Sequence, residues 1–171
     1  MNLLYIIGEP GVGKSTLMAE LVKGRRRRLM TKPFAHTVYE GGLVQLGRER
    51  STGFSGTDAL SMSVSPQAIA ALESGAWPRV LGEGDRLAHA KFFDAAKAAG
   101  YDLEVILLEA PKFVLTKRRQ ARGSNQDPTW LQGRATKVQN VAEKYATMAI
   151  DATLPVAMIA ALLKEHPIFK E

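Results

Sequence analysis

Asn2-Leu3-Leu4-Tyr5-Ile6-Ile7 is a run without a charged residue, and an apolar segment this short and unbroken predicts a strand buried on both faces of a parallel sheet. From Lys14 the period changes: Leu17, Met18, Leu21 and Val22 recur at helical spacing, and Gly24 supplies the stop. The same step recurs at Pro78–Glu83, where Val80 and Leu81 predict a strand, followed by Leu87, Ala88, Phe92, Ala95, Ala96 and Ala99 on a helix that stops at Gly100. Tyr101–Leu108 is the clearest buried strand after the first. Pro111 opens a helix through about Arg122, Asp127-Pro128 a longer one to about Thr147, and Pro155–Glu165 forms the last, with a short strand at Ala149–Asp151.

Between Gly24 and Gly75 the pattern is weaker. Strands are expected at His36–Glu40 and Leu43–Gly47 around the Gly41-Gly42 turn, a loop at Gly47–Gly56, and a helix over Gln67–Ser74 with Pro66 at its start and Ser65 as its N-cap. Strands that alternate with helices of this length predict βαβ units and hence an α/β fold, a three-layer α/β/α arrangement around a roughly five-stranded parallel sheet. A chain of 171 residues accommodates one such domain, residues 1–171.

Composition narrows the chemistry. With no cysteine, disulfides, thiolate zinc sites and thiol nucleophiles are excluded, and a cytoplasmic setting is expected. No apolar run approaches the ~20 residues that span a bilayer, and the first residues lack the basic segment of a signal peptide, so no membrane partner is expected. Lys and Arg outnumber Asp and Glu by 23 to 17, a net charge of +6, which points to an anionic partner or substrate.

The anion has an evident place. Gly8-Glu9-Pro10-Gly11-Val12-Gly13-Lys14-Ser15 fits G-x-x-x-x-G-K-[ST] and lies between the first strand and the first helix. Its glycines let the main chain curl so that successive N–H groups face phosphate oxygens at a helix N-terminus. In this arrangement Lys14 addresses the β- and γ-phosphates of ATP and Ser15 ligates Mg²⁺, with Thr16 as a neighbouring hydroxyl. A carboxylate must lie near the metal, and Glu83, at the end of the Val80-Leu81 strand, is the first candidate; Asp85 is the second, or else the N-cap of the helix that follows. Arg86 could contact an acceptor phosphate or pair with these acids.

The loop near the N-terminus, the acid-ended strand and the late Leu115-x-x-Arg118-Arg119-x-x-Arg122-Gly123 segment resemble the P-loop nucleoside and nucleotide kinases. The resemblance implies ATP and Mg²⁺ as cofactors and a short lid, about residues 117–134, whose arginines lie over the phosphates. Arg118 and Arg119 would bind ATP, and Arg119 and Arg122 would stabilise the transferred phosphoryl group. A solvated basic helix face is the plainer reading of these arginines. The loop Asp151-Ala152-Thr153-Leu154 would border the adenine. No Asn-Lys-x-Asp segment is present to mark a GTPase.

Acceptor residues are expected among positions 36–62 and just after Glu83, with Glu40, Arg48, Asp58 and Arg86 as the polar groups. A hydroxyl acceptor requires a carboxylate in hydrogen-bond reach, for which Asp58 is the first candidate and Glu40 the second; Thr57-Asp58 could also cap a helix. Residues 54–62, 82–88 and 122–126 are similar to phage-encoded P-loop kinases that phosphorylate 5-hydroxymethyluracil in DNA. That resemblance implies DNA containing a hydroxymethylated pyrimidine as partner. Arg25-Arg26-Arg27-Arg28, Lys32, Arg48, Arg50, Arg134 and Lys137 would meet its phosphates, and Phe54, Trp77 or Trp130 could hold an extruded base, although packing against the core is the first reading of each. A free nucleoside or nucleoside-monophosphate kinase and an ATP-dependent nucleic-acid-binding switch are the alternatives.

Overall fold

The computed structural model describes residues 1–49 and 53–170. Its elements are β1 (Asn2–Ile7), α1 (Lys14–Leu21), β2 (Arg27–Met30), β3 (His36–Tyr39), β4 (Leu43–Leu46), α2 (Ser65–Glu73), β5 (Arg79–Glu83), α3 (Ala90–Ala98), β6 (Asp102–Glu109), α4 (Lys112–Ala121), α5 (Pro128–Tyr145), β7 (Ala146–Asp151) and α6 (Val156–Leu163). Single 3-10 turns occupy Glu40–Gly42, Thr57–Ala59 and Pro167–Phe169. Among the described residues, no helix is long and apolar enough to cross a membrane.

The strands form one sheet in the order β2-β3-β4-β5-β1-β6-β7. β4, β5, β1, β6 and β7 run parallel to one another, which is the five-stranded parallel core that the alternation predicts. β2 and β3 extend it as an antiparallel meander on the β4 edge. β2 carries no apolar alternation because it is an exposed edge strand, and its arginines guard that edge against pairing with another chain. β7 starts at Ala146, directly after α5, and is mostly exposed on the other edge, so only its last residues read as a strand.

β1 divides the core. Leu3, Tyr5 and Ile7 face the layer of α2, α3 and α5, packed with Leu72, Phe92, Phe93, Ala142 and Tyr145. Leu4 and Ile6 face α1, α4 and α6, packed with Leu17, Leu21, Leu115, Ile159 and Leu163. Since β1 lies between β5 and β6, the loops after Ile7 and Glu83 converge at the carboxyl edge of the sheet, the usual ligand edge of open α/β folds.

Helix starts differ in two places from the expected caps. Ser65 lies inside α2, which begins without a side-chain cap, and its hydroxyl is 3.3 Å from His89 Nε2. Asp85 does not cap α3; His89 does, with Nδ1 accepting from Phe92 N at 3.3 Å. α5 starts as its sequence requires: Asp127 accepts from the amides of Thr129 and Trp130 at 2.8 and 3.1 Å, and Pro128 follows.

Phe93 is fully buried, with its ring centroid 5.2 Å from Tyr5 and 5.1 Å from Tyr145. Phe93→Ala removes this contact between β1, α3 and α5 and is expected to lower unfolding free energy by about 3–5 kcal/mol in chemical denaturation.

Candidate active site

Between β1 and α1 the chain curls around the side chain of Lys14, whose Nζ donates to Gly8 O at 2.8 Å and Glu9 O at 3.3 Å. The curl ends at Gly13, in the left-handed conformation (φ 106°), so α1 begins with main-chain N–H groups open to an anion. Desolvation lowers the Lys14 pKa, opposed by the charges of Glu83 and Asp58. Ser15 Oγ donates to Glu83 Oε1 at 2.9 Å. Glu83 is 2% exposed; burial raises its pKa, opposed first by Lys14 and then by the Ser15 hydrogen bond. Thus the loop lysine, the metal hydroxyl and the strand-end acid of the sequence reading meet at one point.

Asp58 reaches the same point through a close main-chain approach. Arg48 and Gly56 form an antiparallel bridge, with Gly56 N donating to Arg48 O at 2.7 Å. This lays the Thr57–Ala59 turn across the end of β5. Gly56 has φ 61°, and a Cβ there would overlap the Glu83 carboxylate; at Gly47 a Cβ would overlap Gly56 O. Thr57 Oγ1 donates to Glu83 O at 2.9 Å, and the Tyr5 hydroxyl lies 2.9 Å from Thr57 Oγ1 and donates to Gly84 O at 3.1 Å. Asp58 Oδ1 accepts from the main-chain N–H groups of Asp85 and Arg86, both at 2.9 Å. Thr57-Asp58 therefore caps no long helix; it forms a fixed turn against the loop after β5.

The arginines of α4 divide into two roles. Arg118 Nη1 donates to Val12 O and Nη2 to Ala152 O, both at 2.8 Å. Arg119 Nη1 donates to Pro10 O at 2.8 Å. Both side chains thus hold the phosphate-binding loop by its carbonyls, and Arg118 ties it to the loop after β7, where phosphate contacts were expected of them. Arg122 is exposed, and its charge acts on Lys14. With Gly11, Val12, Gly13, Thr16, Leu17 and Leu154 among others, it lines an open cleft of about 330 Å³ on the far side of the loop from Asp58. The cleft is mostly apolar and includes Ala152 and Leu154, the segment expected beside adenine.

On the other side, Asp85 is turned away from Ser15: its carboxylate pairs with Arg134 and with Lys137, the latter at 2.9 Å, and Lys137 also donates to Asp85 O at 3.0 Å. Arg134 lies over the Trp130 ring, 4.9 Å from its centroid. Arg86, a neighbour of Asp58 through its main chain, places Nη1 on Met62 Sδ.

Two expectations are corrected, and Trp77 takes its packing reading. Glu40 sits in the turn before Leu43, which pairs with Arg79 and is level with Asn2, so it lies at the opposite end of the sheet from Gly8. It is exposed and paired with Arg26, and cannot serve as a base for this site. The Arg25–Arg28 run is part of the sheet edge in place of a free arm: Arg25 lies over the Phe169 ring, Arg26 pairs with Glu40 and Arg27 with Glu49, while Arg28 stands exposed on β2. Trp77 packs on Phe34 and His36 as part of the core, with centroids 5.8 and 4.6 Å away. Phe54 and Arg48 are exposed, as is Lys32; Arg50 lies outside the described residues. The sequence reading missed Tyr5, Thr57, Gly47 and Gly56. The only sign of them was the glycine density before Asp58, at Gly47, Gly53 and Gly56.

Arg118→Gln removes a charged donor from two carbonyls, each bond contributing about 1.5–3 kcal/mol. Nucleotide affinity, measured by isothermal titration, is expected to fall at least tenfold, and the melting temperature to fall by several degrees because both bonds lie within the folded chain.

The comparisons agree with this geometry. Residues 1–160 match the sequence model of the P-loop nucleotide kinase 3 family. The crystal structure of a gluconokinase from Sinorhizobium meliloti 1021 superposes with a TM-score of 0.54 at 14% identity, covering 94% of this chain and 87% of that one, which shows the shared fold. No curated protein matches the sequence. A phosphate loop closed on Lys14, a strand-end acid bonded to Ser15 and a family match over nearly the whole chain make this protein a kinase, a member of the P-loop nucleotide kinase 3 family.

Proposed function

We propose that this chain, acting as one domain with residues 117–134 as its lid, transfers the γ-phosphoryl group of ATP to a hydroxyl, with Asp58 as general base. The observation that carries the reading is the placement of Asp58: a carboxylate fixed by two main-chain N–H groups beside Gly84, within electrostatic reach of Lys14 and Glu83. A phosphate nucleophile gains nothing from an acid there, whereas an alcohol must lose its proton. Asp58 takes that proton as the acceptor oxygen bonds to the γ-phosphorus; the bond from phosphorus to the β-phosphate oxygen breaks, and ADP leaves. Lys14 and the N–H groups of the loop hold the phosphates, and Arg122 is the lid arginine left to face charge on the transferred group.

Ser15 and Glu83 fit Mg²⁺, because both are oxygen donors and this ion binds to few protein groups beside phosphate and water. Among the described residues no cluster of three or more acidic or histidine side chains could hold a metal by itself, as expected for an ion that arrives with nucleotide. When bound, it supplies neutralisation of phosphate charge.

For the acceptor we favour the hydroxymethyl group of a modified pyrimidine in DNA. Supporting this are Phe54 and Met62, 56% and 83% exposed on either side of Asp58, with Arg48 exposed nearby as a contact for the strand. Trp130, under Arg134, offers a further stacking surface. A free nucleoside or nucleotide is the second reading, favoured by the engagement of Arg25, Arg26 and Arg27, at the opposite end of the sheet from Gly8, in contacts within the chain with Phe169, Glu40 and Glu49.

Incubation with γ-labelled ATP and, in parallel, hydroxymethyluracil oligonucleotide, unmodified oligonucleotide, nucleosides and monophosphates separates these readings. Label in the modified DNA alone is expected; label only in small molecules overturns the DNA acceptor, and ATP-dependent DNA binding without label favours a switch. Asp58→Asn is expected to lower turnover by about 10²–10⁴-fold with ATP affinity retained. Glu83→Gln is expected to raise the magnesium concentration for half-maximal turnover at least tenfold.

A further inference from the structure

Two consecutive peptide groups hold Asp58, and each of them is itself held at its other end. The N–H groups of Asp85 and Arg86 both donate to Asp58 Oδ1, at 2.9 Å. The first belongs to the same peptide as the carbonyl of Gly84, which accepts from the Tyr5 hydroxyl at 3.1 Å. The second belongs to the same peptide as the carbonyl of Asp85, which accepts from Lys137 Nζ at 3.0 Å. A trans peptide is planar, with its N–H and C=O pointing in opposite directions. A donor on the carbonyl therefore fixes the direction of the N–H, and it also strengthens the bond that this N–H makes, because hydrogen bonds in a chain polarise one another.

The two backing donors differ in kind. Tyr5 is neutral, fully buried and part of β1. Lys137 carries a charge and stands on α5, just past the end of the proposed lid. A second bond steers its ammonium, to Asp85 Oδ2 at 2.9 Å, and Arg134 pairs with the same carboxylate. Two of the three ammonium donors are thus spent on Asp85. The Lys137 side chain is 38% exposed, and an ion pair so accessible to water adds little to folding. What the ammonium does supply is a charge on the carbonyl behind the Arg86 N–H. The charge of Asp58 in turn acts on Lys137.

We propose that Lys137 is a positioning residue for the general base: through the Asp85–Arg86 peptide it sets one of the two N–H groups that hold Asp58 Oδ1, and so the orientation in which Asp58 meets the acceptor hydroxyl. This rests on the reading of Asp58 as base and goes beyond it by tying the base to α5. Tyr5 holds one peptide from the core, and Lys137 holds the next from the helix that carries the end of the lid, so the seating of that helix and the orientation of the base are one event.

Hydrogen exchange of the backbone amides, followed by NMR in the full chain, tests the link without an acceptor. Lys137→Met, which keeps the length of the side chain, is expected to speed exchange at the Arg86 N–H at least tenfold, and Lys137→Arg to restore most of the protection. The Asp85 N–H, backed by Tyr5, is the internal control and keeps its rate, as it would not in a loop that had loosened altogether. Turnover is read as ADP formation at saturating ATP and Mg²⁺, with water as acceptor. Lys137→Met is expected to lower kcat at least fivefold with KM for ATP unchanged, and to have no further effect in the Asp58→Asn background, because the two residues act as one unit. Unchanged exchange at Arg86 overturns the proposal by itself, and so does an equal loss of kcat in both backgrounds. Failure of the base reading gives a different result: Asp58→Asn alone then leaves turnover unchanged, whatever the amides show.

Discussion

Glu83 is a carboxylate buried at the end of β5, and the arrangement of the site follows from what it takes to keep it there. An isolated charge at 2% exposure is strongly disfavoured, and burial does raise its pKa. The opposing contributions come from Lys14 and Ser15, two consecutive residues of the phosphate-binding loop. Lys14 has the complementary problem, since desolvation lowers its pKa and Glu83 is the first charge that opposes the shift. β1 and β5 are adjacent and in register from Asn2↔Arg79 to Ile6↔Glu83. The loop after one strand therefore meets the acid of the other at a fixed height, and ammonium, hydroxyl and carboxylate stabilise one another before any nucleotide is present.

The same acid organises the acceptor side. Its main-chain carbonyl accepts from Thr57, its carboxylate leaves no room for a side chain at Gly56, and the following loop supplies the N–H groups that fix Asp58. Tyr5 links this set back to β1 through Thr57 and Gly84, and its ring is held from behind by Phe92 and Phe93. The Asp58 turn thus depends on the packing of the sheet against the adjacent helix layer. α4 acts on the opposite flank, where Arg118 and Arg119 fix the loop from outside by its carbonyls, so that the N–H groups face inward.

What could be read from the sequence follows from whether a residue's role is set locally. Gly8–Ser15 was legible because the spacing alone fixes which atoms face a phosphate, and Glu83 because it ends an apolar run that can only be a central strand. Glu40 was misread because both candidates lay at strand or turn ends, and only the antiparallel meander β2-β3-β4 decides which end of the sheet each occupies. Arg118 and Arg119 were assigned to phosphate because a guanidinium serves an oxyanion or a carbonyl equally well, and the choice depends on the approach of α4 to the loop. Gly47 and Gly56 escaped because their requirement comes from a contact between two loops and from Glu83, 27 residues on from Gly56.

The charge balance of the site bears on what kind of acceptor it can take. Near the point of transfer the chain presents acids, Asp58 and Glu83, together with the buried Lys14; the surplus cations Arg86, Arg134 and Lys137 lie behind Asp58, with two of them held to Asp85. A phosphate nucleophile would have to approach Asp58 against its charge, in a setting where like charges interact more strongly than in water. A neutral hydroxyl meets no such barrier.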